Sequence, residues 1–206
     1  MSLSSYSIDN LQHTLLQNCY LSKSEKEKEL SSAKTPRDVC VIAKTYFTAQ
    51  SYGPQLERWV KKYLLLDNKL DSTSGDASIN SVGIEIKCSI QDQKGGFNYV
   101  QLRPHHTHEA YILLSYSILM DEAVWHYVPH ESMNSLIESH GGYAHGTITE
   151  NGKINMDNIL ANKYEYAIRP NRHLTTGKAA TAWAALEPFR VSDDELRQIL
   201  HKIRNR

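Results

Sequence analysis

The stretch Val82-Gly83-Ile84-Glu85-Ile86-Lys87-Cys88-Ser89-Ile90 reads as a buried β-strand. With a side-chain period of two, Ile84, Ile86 and Cys88 face a core, while Glu85 and Lys87 share the opposite side. Nine residues before Glu85, Asp76 follows Gly75 in a turn. Two acids and an amine converging at the end of a sheet are the groups that bind a divalent metal beside a phosphodiester. E-x-K alone is a weak signal, but here it lies in the strongest β-pattern of the chain and follows an acid in a glycine turn.

Upstream of this strand the pattern is helical. Residues 7–17 place Ile8, Leu11, Leu15 and Leu16 on one face of a short amphipathic helix. Residues 21–34, with a Lys-Glu-Lys-Glu run, read as a solvated helix or linker. Thr35-Pro36 starts a helix whose stripe is Val39, Ile42, Ala43 and Tyr46. Gly53-Pro54 breaks the chain, and residues 56–66 form a helix with Leu56, Trp59, Val60 and Tyr63 on one face.

Downstream, Lys94-Gly95-Gly96 is a turn, residues 97–102 are a short element, 111–119 an inner strand and 123–128 the next strand. A helix follows over 132–139, and 141–181 shows loops without a strong period. Ser192, with Glu195 three residues on, caps a closing helix to Ile203. The three tryptophans read as core. No repeat or low-complexity linker divides the chain. The expectation is one α/β domain over 1–206, with a helical part to 66, a catalytic core over 67–130, and helices and loops beyond.

Composition narrows the class. At 206 residues the chain buries a core without staples, and 40% hydrophobic with 22% charged residues is the balance of a soluble globular protein. No apolar run reaches the roughly 20 residues that span a bilayer, and the N-terminus lacks the basic start and apolar core of a secretory signal. Cys19, Cys40 and Cys88 form no C-x-x-C pair, which fits a reducing cytoplasm and small apolar fillers. Zero formal net charge is a mild argument against nucleic-acid binding. However, residues 163–178 carry Lys163, Arg169, Arg172 and Lys178 against Glu165, so a basic groove fits a neutral chain.

Phosphodiester hydrolysis needs a nucleophile, charge neutralisation and a stabilised leaving oxygen, together removing on the order of 20 kcal/mol from the barrier. Mg²⁺ supplies several of these terms at once and takes oxygen ligands. Asp76, Glu85 and the Ile86 carbonyl are the candidate ligands, with Asp71 the alternative first carboxylate. Lys87 is expected to position or deprotonate the attacking water, its pKa pushed down by burial beside a metal.

Residues 75–89 resemble the PD-(D/E)xK nuclease core of type II restriction endonucleases, with Gly75-Asp76 in place of the nominal Pro-Asp. Ser51-Tyr52-Gly53-Pro54-Gln55-Leu56-Glu57 is similar to the helix start that carries an extra acid in many of these enzymes, which makes Glu57 a helper. Phe97-Asn98-Tyr99-Val100-Gln101-Leu102-Arg103-Pro104, with His105-His106, is similar to the segment after their catalytic strand. The resemblance covers residues 50–130 well and 140–180 poorly. It implies a restriction-endonuclease-like mixed β-sheet flanked by helices. It also implies a Mg²⁺-dependent endonuclease, Mn²⁺ substituting, that cuts double-stranded DNA at a specific sequence to leave 5′-phosphate and 3′-hydroxyl ends. A homodimer would read a palindromic site, and a DNA methyltransferase would be its functional companion. The alternatives are a repair or recombination nuclease of the same fold, or a non-catalytic DNA-binding protein that keeps the sheet.

Asn98, Gln101, Arg103, His105 and His106 are the candidate DNA contacts near the strand, since glutamine and arginine read adenine and guanine edges. A zinc site at His105, His106 and His108 lacks an evident thiolate or fourth ligand. Arg169, Arg172 and Lys178 belong either to a loop that reaches a DNA backbone or to an ordinary basic surface loop. The glycine-rich pair His140-Gly141-Gly142 and His145-Gly146-Thr147 is a DNA-approaching loop or a hairpin turn, and no P-loop or G-x-S-x-G motif is present.

Overall fold

The computed structural model describes residues 21–48, 51–144 and 154–206. The helix expected over 7–17, Cys19 and the His145-Gly146-Thr147 turn lie outside them.

Helix α1 (Lys23–Ser32) is nucleated by a capping box: Ser22 Oγ accepts from the Glu25 amide, and the Glu25 carboxylate accepts from the Ser22 amide. Only its Leu30 is buried. Helix α2 (Pro36–Tyr46) is capped by Thr35 and buries Val39, Cys40 and Ala43. Ile42 and Tyr46, expected in its stripe, are only half-buried, and Cys40 takes their place. Helix α3 (Tyr52–Tyr63) corrects the expected break at Gly53-Pro54. Both residues sit in its first turn, where a backbone N–H has no intrahelical partner to lose. The same helix stops at Tyr63 rather than Leu66. Leu65 turns left-handed (φ 54°), the Leu66 amide donates to the Lys61 carbonyl (2.9 Å) and the Leu65 amide to that of Lys62 (3.2 Å). This is a Schellman ending built without the usual glycine.

The main sheet has six strands: β1 (Asp67–Asn68), β2 (Ala77–Ile79), β3 (Val82–Ile90), β5 (Ala110–Ser117), β6 (Glu122–Pro129) and β9 (Arg190–Val191), ordered β1-β2-β3-β5-β6-β9. It is mixed: β3 and β5 run parallel, with Glu85 beside Tyr111 and Lys87 beside Leu113, and the other pairs are antiparallel. The parallel pair needs a long crossover, and residues 91–109 supply it. That crossover contains β4 (Tyr99–Leu102), which joins β7 (Gly141–Tyr143) and β8 (Tyr166–Ile168) in a separate sheet ordered β4-β8-β7. The stretch 141–181, expected as loops, therefore contributes two strands, the short helix α5 (Met156–Ala161) and the start of α6 (Lys178–Leu186). Helix α4 (His130–His140) precedes it, and α7 (Asp193–Arg204) closes the chain behind the predicted Ser192–Glu195 capping box.

The central strand β5 is buried along its whole length. Ala110, Ile112, Leu114 and Tyr116 pack with Ile84 and Ile86 of β3 against α1, α2, α3 and α7. Tyr111 and Leu113 face the opposite core with Tyr99, Leu102, Met133, Ile137, Tyr166, Ile168 and Trp183. The sheet is thus covered on both faces, the condition that makes a parallel pair read as a continuous apolar run. The fold class is α/β, a mixed sheet flanked by helices. Trp59, Trp125 and Trp183 are all core. No helix among the described residues is long and apolar enough to cross a membrane.

His126 on β6 lies in the second core, its ring centroid 5.5 Å from that of Trp183, and neither ring nitrogen has a hydrogen-bond partner. Burial, reinforced by Arg190 and Arg172, pushes its pKa from 6.5 down to about 4. Between those values the unfolded chain binds the proton and the folded chain does not. Stability present above pH 6.5 is therefore lost as the pH falls towards 4. The loss is at most about 3 kcal/mol. Urea unfolding of His126→Phe should lose less stability than wild type between neutral pH and about pH 5. Parallel losses in the two proteins would assign the effect to other groups.

Candidate active site

The acid turn is built before the strand begins. Ser74 Oγ accepts from the amides of Leu70 and Asp71 (3.0 and 2.9 Å), and Asp71 Oδ1 accepts from the Thr73 amide and hydroxyl (2.7 and 2.9 Å). Asp71 is therefore spent on its own loop, which holds its carboxyl below the usual range, and Asp76 is the acid that reaches the strand. Gly75 takes φ 90°, and a Cβ there would lie 2.5 Å from the Ile84 carbonyl oxygen. That close approach lets the Asp76 amide donate to Ile84 O (2.9 Å) and the Ile86 amide donate to Asp76 Oδ2 (3.0 Å). In an extended strand the amide and carbonyl of one residue point the same way, so the Ile86 carbonyl is directed to the edge where Asp76 sits.

Glu85 and Lys87 project from the face of β3 opposite Ile84 and Ile86, as the two-residue period requires. Both are buried, at 2% and 8% exposure. Lys87 Nζ lies 2.6 Å from Glu85 Oε1 and 3.7 Å from Asp76 Oδ2. Glu57 comes in from α3, and its carboxyl is pushed up to about 7 by burial, opposed by Lys87 and reinforced by Asp76 and Glu85. Burial also raises Glu85, against the pull of Lys87. Burial alone would lower the Lys87 ammonium, but Glu85, Asp76 and Glu57 together reverse this and raise it. The downward shift expected from burial is thereby reversed, because three carboxylates from three elements surround one amine.

Glu57, Asp76 and Lys87 open into a cleft of about 620 Å³ that Asn98, Gln101 and Arg103 also line. A bulge sets the wall: Tyr99 pairs with Ile168 and Leu102 with Tyr166, so Val100 and Gln101 together oppose Ala167. Gln101 is held at φ 55° and its side chain is exposed. The Asn98 amide donates to Ser89 Oγ (2.8 Å), and Tyr99 OH bonds Ser115 Oγ, fixing β4 over β3 and β5. Arg103 donates to Glu165 through Nε (2.8 Å) and approaches the same oxygen through its NH2 nitrogen (2.7 Å).

His105 and His106 follow, half-buried, with rings 4.8 Å apart and edge to face, and burial holds both imidazoles below the usual range. His108 is almost fully buried, and burial with His130 beside it pushes it down to about 3. The predicted basic loop is not brought to this cleft. Arg172 pairs with Glu122 (2.7 Å) and stacks over Trp183, Lys178 Nζ donates to the Gly141 carbonyl (2.7 Å), and Arg169 is exposed beside Gly142.

The donor set fits a hard dication. Asp76 and Glu85 both reach the point that the Lys87 ammonium approaches, at 3.7 and 2.6 Å, so a positive charge already sits between the two carboxylates. Carboxylate and carbonyl oxygens are the ligands that such a dication takes. Sequence reasoning missed a second grouping: ligand atoms of Glu85, His106 and His108 lie within 4.8 Å of one another. Twenty-odd residues separate the acid from the imidazoles in sequence, and no spacing rule links them. No family model, no curated protein and no solved structure matches the chain.

Proposed function

We propose that this protein is a metal-dependent endonuclease of the restriction-endonuclease-like fold that hydrolyses phosphodiester bonds in double-stranded DNA. The observation that carries the reading is the convergence of Asp76, Glu85 and Lys87, where Asp76, Lys87 and Glu57 line an open polar cleft and Glu85 is buried against Lys87. A plain surface strand has no reason to bury an acid and an amine side by side at 2% and 8% exposure.

Asp76 and Glu85, with the Ile86 carbonyl, would hold Mg²⁺, or Mn²⁺ in its place, which when bound polarises the phosphate and lowers the pKa of a water ligand. Lys87 presents hydrogen-bond donors to the attacking water and to the charge that builds on the phosphate. Glu57 adds negative charge to the same centre. Asn98, Gln101 and Arg103 line the wall along which a DNA strand would lie, with amide and guanidinium groups suited to phosphate and base edges. Two copies related by a two-fold axis would present two such clefts to a palindromic duplex.

Digestion of a mapped plasmid tests the reading. Wild type with Mg²⁺ should yield discrete fragments. Asp76→Asn keeps an acceptor for the Ile86 amide but removes the charge, and should cut at least about 100-fold more slowly. Supercoiled DNA left intact by wild type in both Mg²⁺ and Mn²⁺ would point to a binding protein instead. Cleavage only at junctions or ends would point to a repair or recombination role.

A further inference from the structure

We propose that Glu85, His106 and His108 form a second metal site, one that takes a borderline transition-metal dication such as Zn²⁺ or Co²⁺ in preference to Mg²⁺. Its place beside the nuclease centre, with which it shares Glu85, rests on the reading above. Its capacity to hold a metal does not.

The hydrogen-bond chain behind His108 defines its free atom. The Pro104 carbonyl only accepts, so His130 Nε2, 3.0 Å away, carries a proton. His130 Nδ1 in the neutral ring is then an acceptor, and His108 Nε2 at 3.2 Å must donate to it. This leaves His108 Nδ1 with its lone pair, buried and without a hydrogen-bond partner. His106 Nδ1 is likewise buried and unpartnered. A ligating imidazole whose other nitrogen is fixed by a hydrogen bond is the usual arrangement around a bound metal. Here the fixing partners, His130 and Pro104, are in place without one.

The segment that bears the histidines is held on both flanks. The His106 amide donates to Arg103 O (3.0 Å), the Thr107 amide to Thr73 O (2.8 Å) and the Glu109 amide to Gly83 O (2.9 Å). Thr73 belongs to the acid turn and Gly83 to the catalytic strand, so these bonds tie the imidazoles to Glu85 through the main chain. Ligand atoms of the three residues already lie within 4.8 Å of one another. Lys87 Nζ holds Glu85 Oε1 at 2.6 Å, so a metal at this site takes the carboxylate's other oxygen or displaces the ammonium.

Donor chemistry sets the preference. Two imidazoles and one carboxylate suit zinc, cobalt and their neighbours, whereas Mg²⁺ demands oxygen ligands and gives up its waters reluctantly. Three protein ligands leave a fourth tetrahedral position for water, the open arrangement of zinc hydrolases.

Titration of untagged, chelator-treated protein with Co²⁺, followed by visible absorption, tests the proposal. Wild type should show one equivalent of tetrahedral Co²⁺, displaced by Zn²⁺ but not by a large excess of Mg²⁺. His106→Ala and His108→Ala should each weaken Co²⁺ binding by about 100-fold, while Asp76→Asn should change it by less than about tenfold. Circular dichroism checks the fold of each variant. Should the buried His108 variant fail to fold, the half-exposed His106 variant decides. Unaltered Co²⁺ affinity in a folded His106→Ala, or ready displacement by Mg²⁺, overturns the site. Histidine-dependent Co²⁺ binding in a protein that cuts no DNA would leave the site standing and remove the nuclease reading. Cleavage in Mg²⁺ without any histidine-dependent band would do the reverse.

Discussion

Replacing Lys87 by alanine should slow DNA cleavage by on the order of 1,000-fold or more in Mg²⁺, with the fold retained at assay temperature. The side chain offers the only ammonium within 4 Å of both strand acids among the described residues, at 2.6 Å from Glu85 and 3.7 Å from Asp76. Its removal takes away the donor that orients water and meets phosphate charge, and nothing nearby replaces it. The same change leaves Glu85 buried beside Asp76 and Glu57 with no ammonium at ion-pair distance, and only the more distant Arg103 offsets it. In metal-free buffer the variant should therefore also lose about 3 kcal/mol of stability. Lys87→Met fills the space of the stem without the charge, so a loss that both variants share belongs to the ammonium and not to packing. Single-turnover rates within tenfold of wild type for both variants would remove Lys87 from the chemistry.

The second large effect lies in the backbone. Gly83→Ala should destabilise the protein by about 3 kcal/mol or more, lowering the melting temperature by roughly 10 °C. A Cβ at Gly83 would sit 2.2 Å from the Ser74 carbonyl oxygen, 3.0 Å from its carbon and 3.2 Å from His108 Cα, all main-chain atoms with little room to move. Relief requires the start of β3 to part from both the acid turn and the histidine segment. The bonds from the Asp76 amide to Ile84 and from the Glu109 amide to Gly83 would strain together. Gly53→Ala is the matched control, since its Cβ would meet nothing within 4 Å and lies in the first turn of a helix. Urea melts that place the two variants within 1 kcal/mol of each other would refute this account of the close approach.

Some of this architecture was legible from sequence because the signal was local. Strand β3 runs from Val82 to Ile90 as its alternation indicates, and α7 begins at the Ser192–Glu195 capping box. Glu85, Lys87 and Asp76 meet because a period of two and a glycine turn suffice to bring them together. Glu57 lies near them on α3, and no local sequence signal ties that helix to the strand.

What stayed hidden depended on distant partners. Strands β7 and β8 are three residues each, too short for a period, and exist because β4 offers an edge to β8, which in turn pairs with β7. The end of α3 at Leu65 uses a left-handed leucine where a reader looks for glycine. Arg172 and Lys178 look like free cations in a basic stretch until Glu122 and the Gly141 carbonyl arrive from other elements. The direction of the Lys87 shift depends on carboxylates that only the fold assembles.

The bulge that turns Gln101 outward has a wider meaning. Glu85 and Lys87 stand on the main sheet, clamped between two cores, whereas Gln101 rides on an edge strand of the smaller one, with Asn98 just before it. New side chains at the exposed Gln101 can reshape what the cleft admits without disturbing the residues beneath it, while Tyr99 and Leu102 on the same strand stay held in the second core. The molecule is divided into a fixed floor and a wall whose exposed positions are free to vary, so differences in what the cleft admits should collect at the exposed positions of β4.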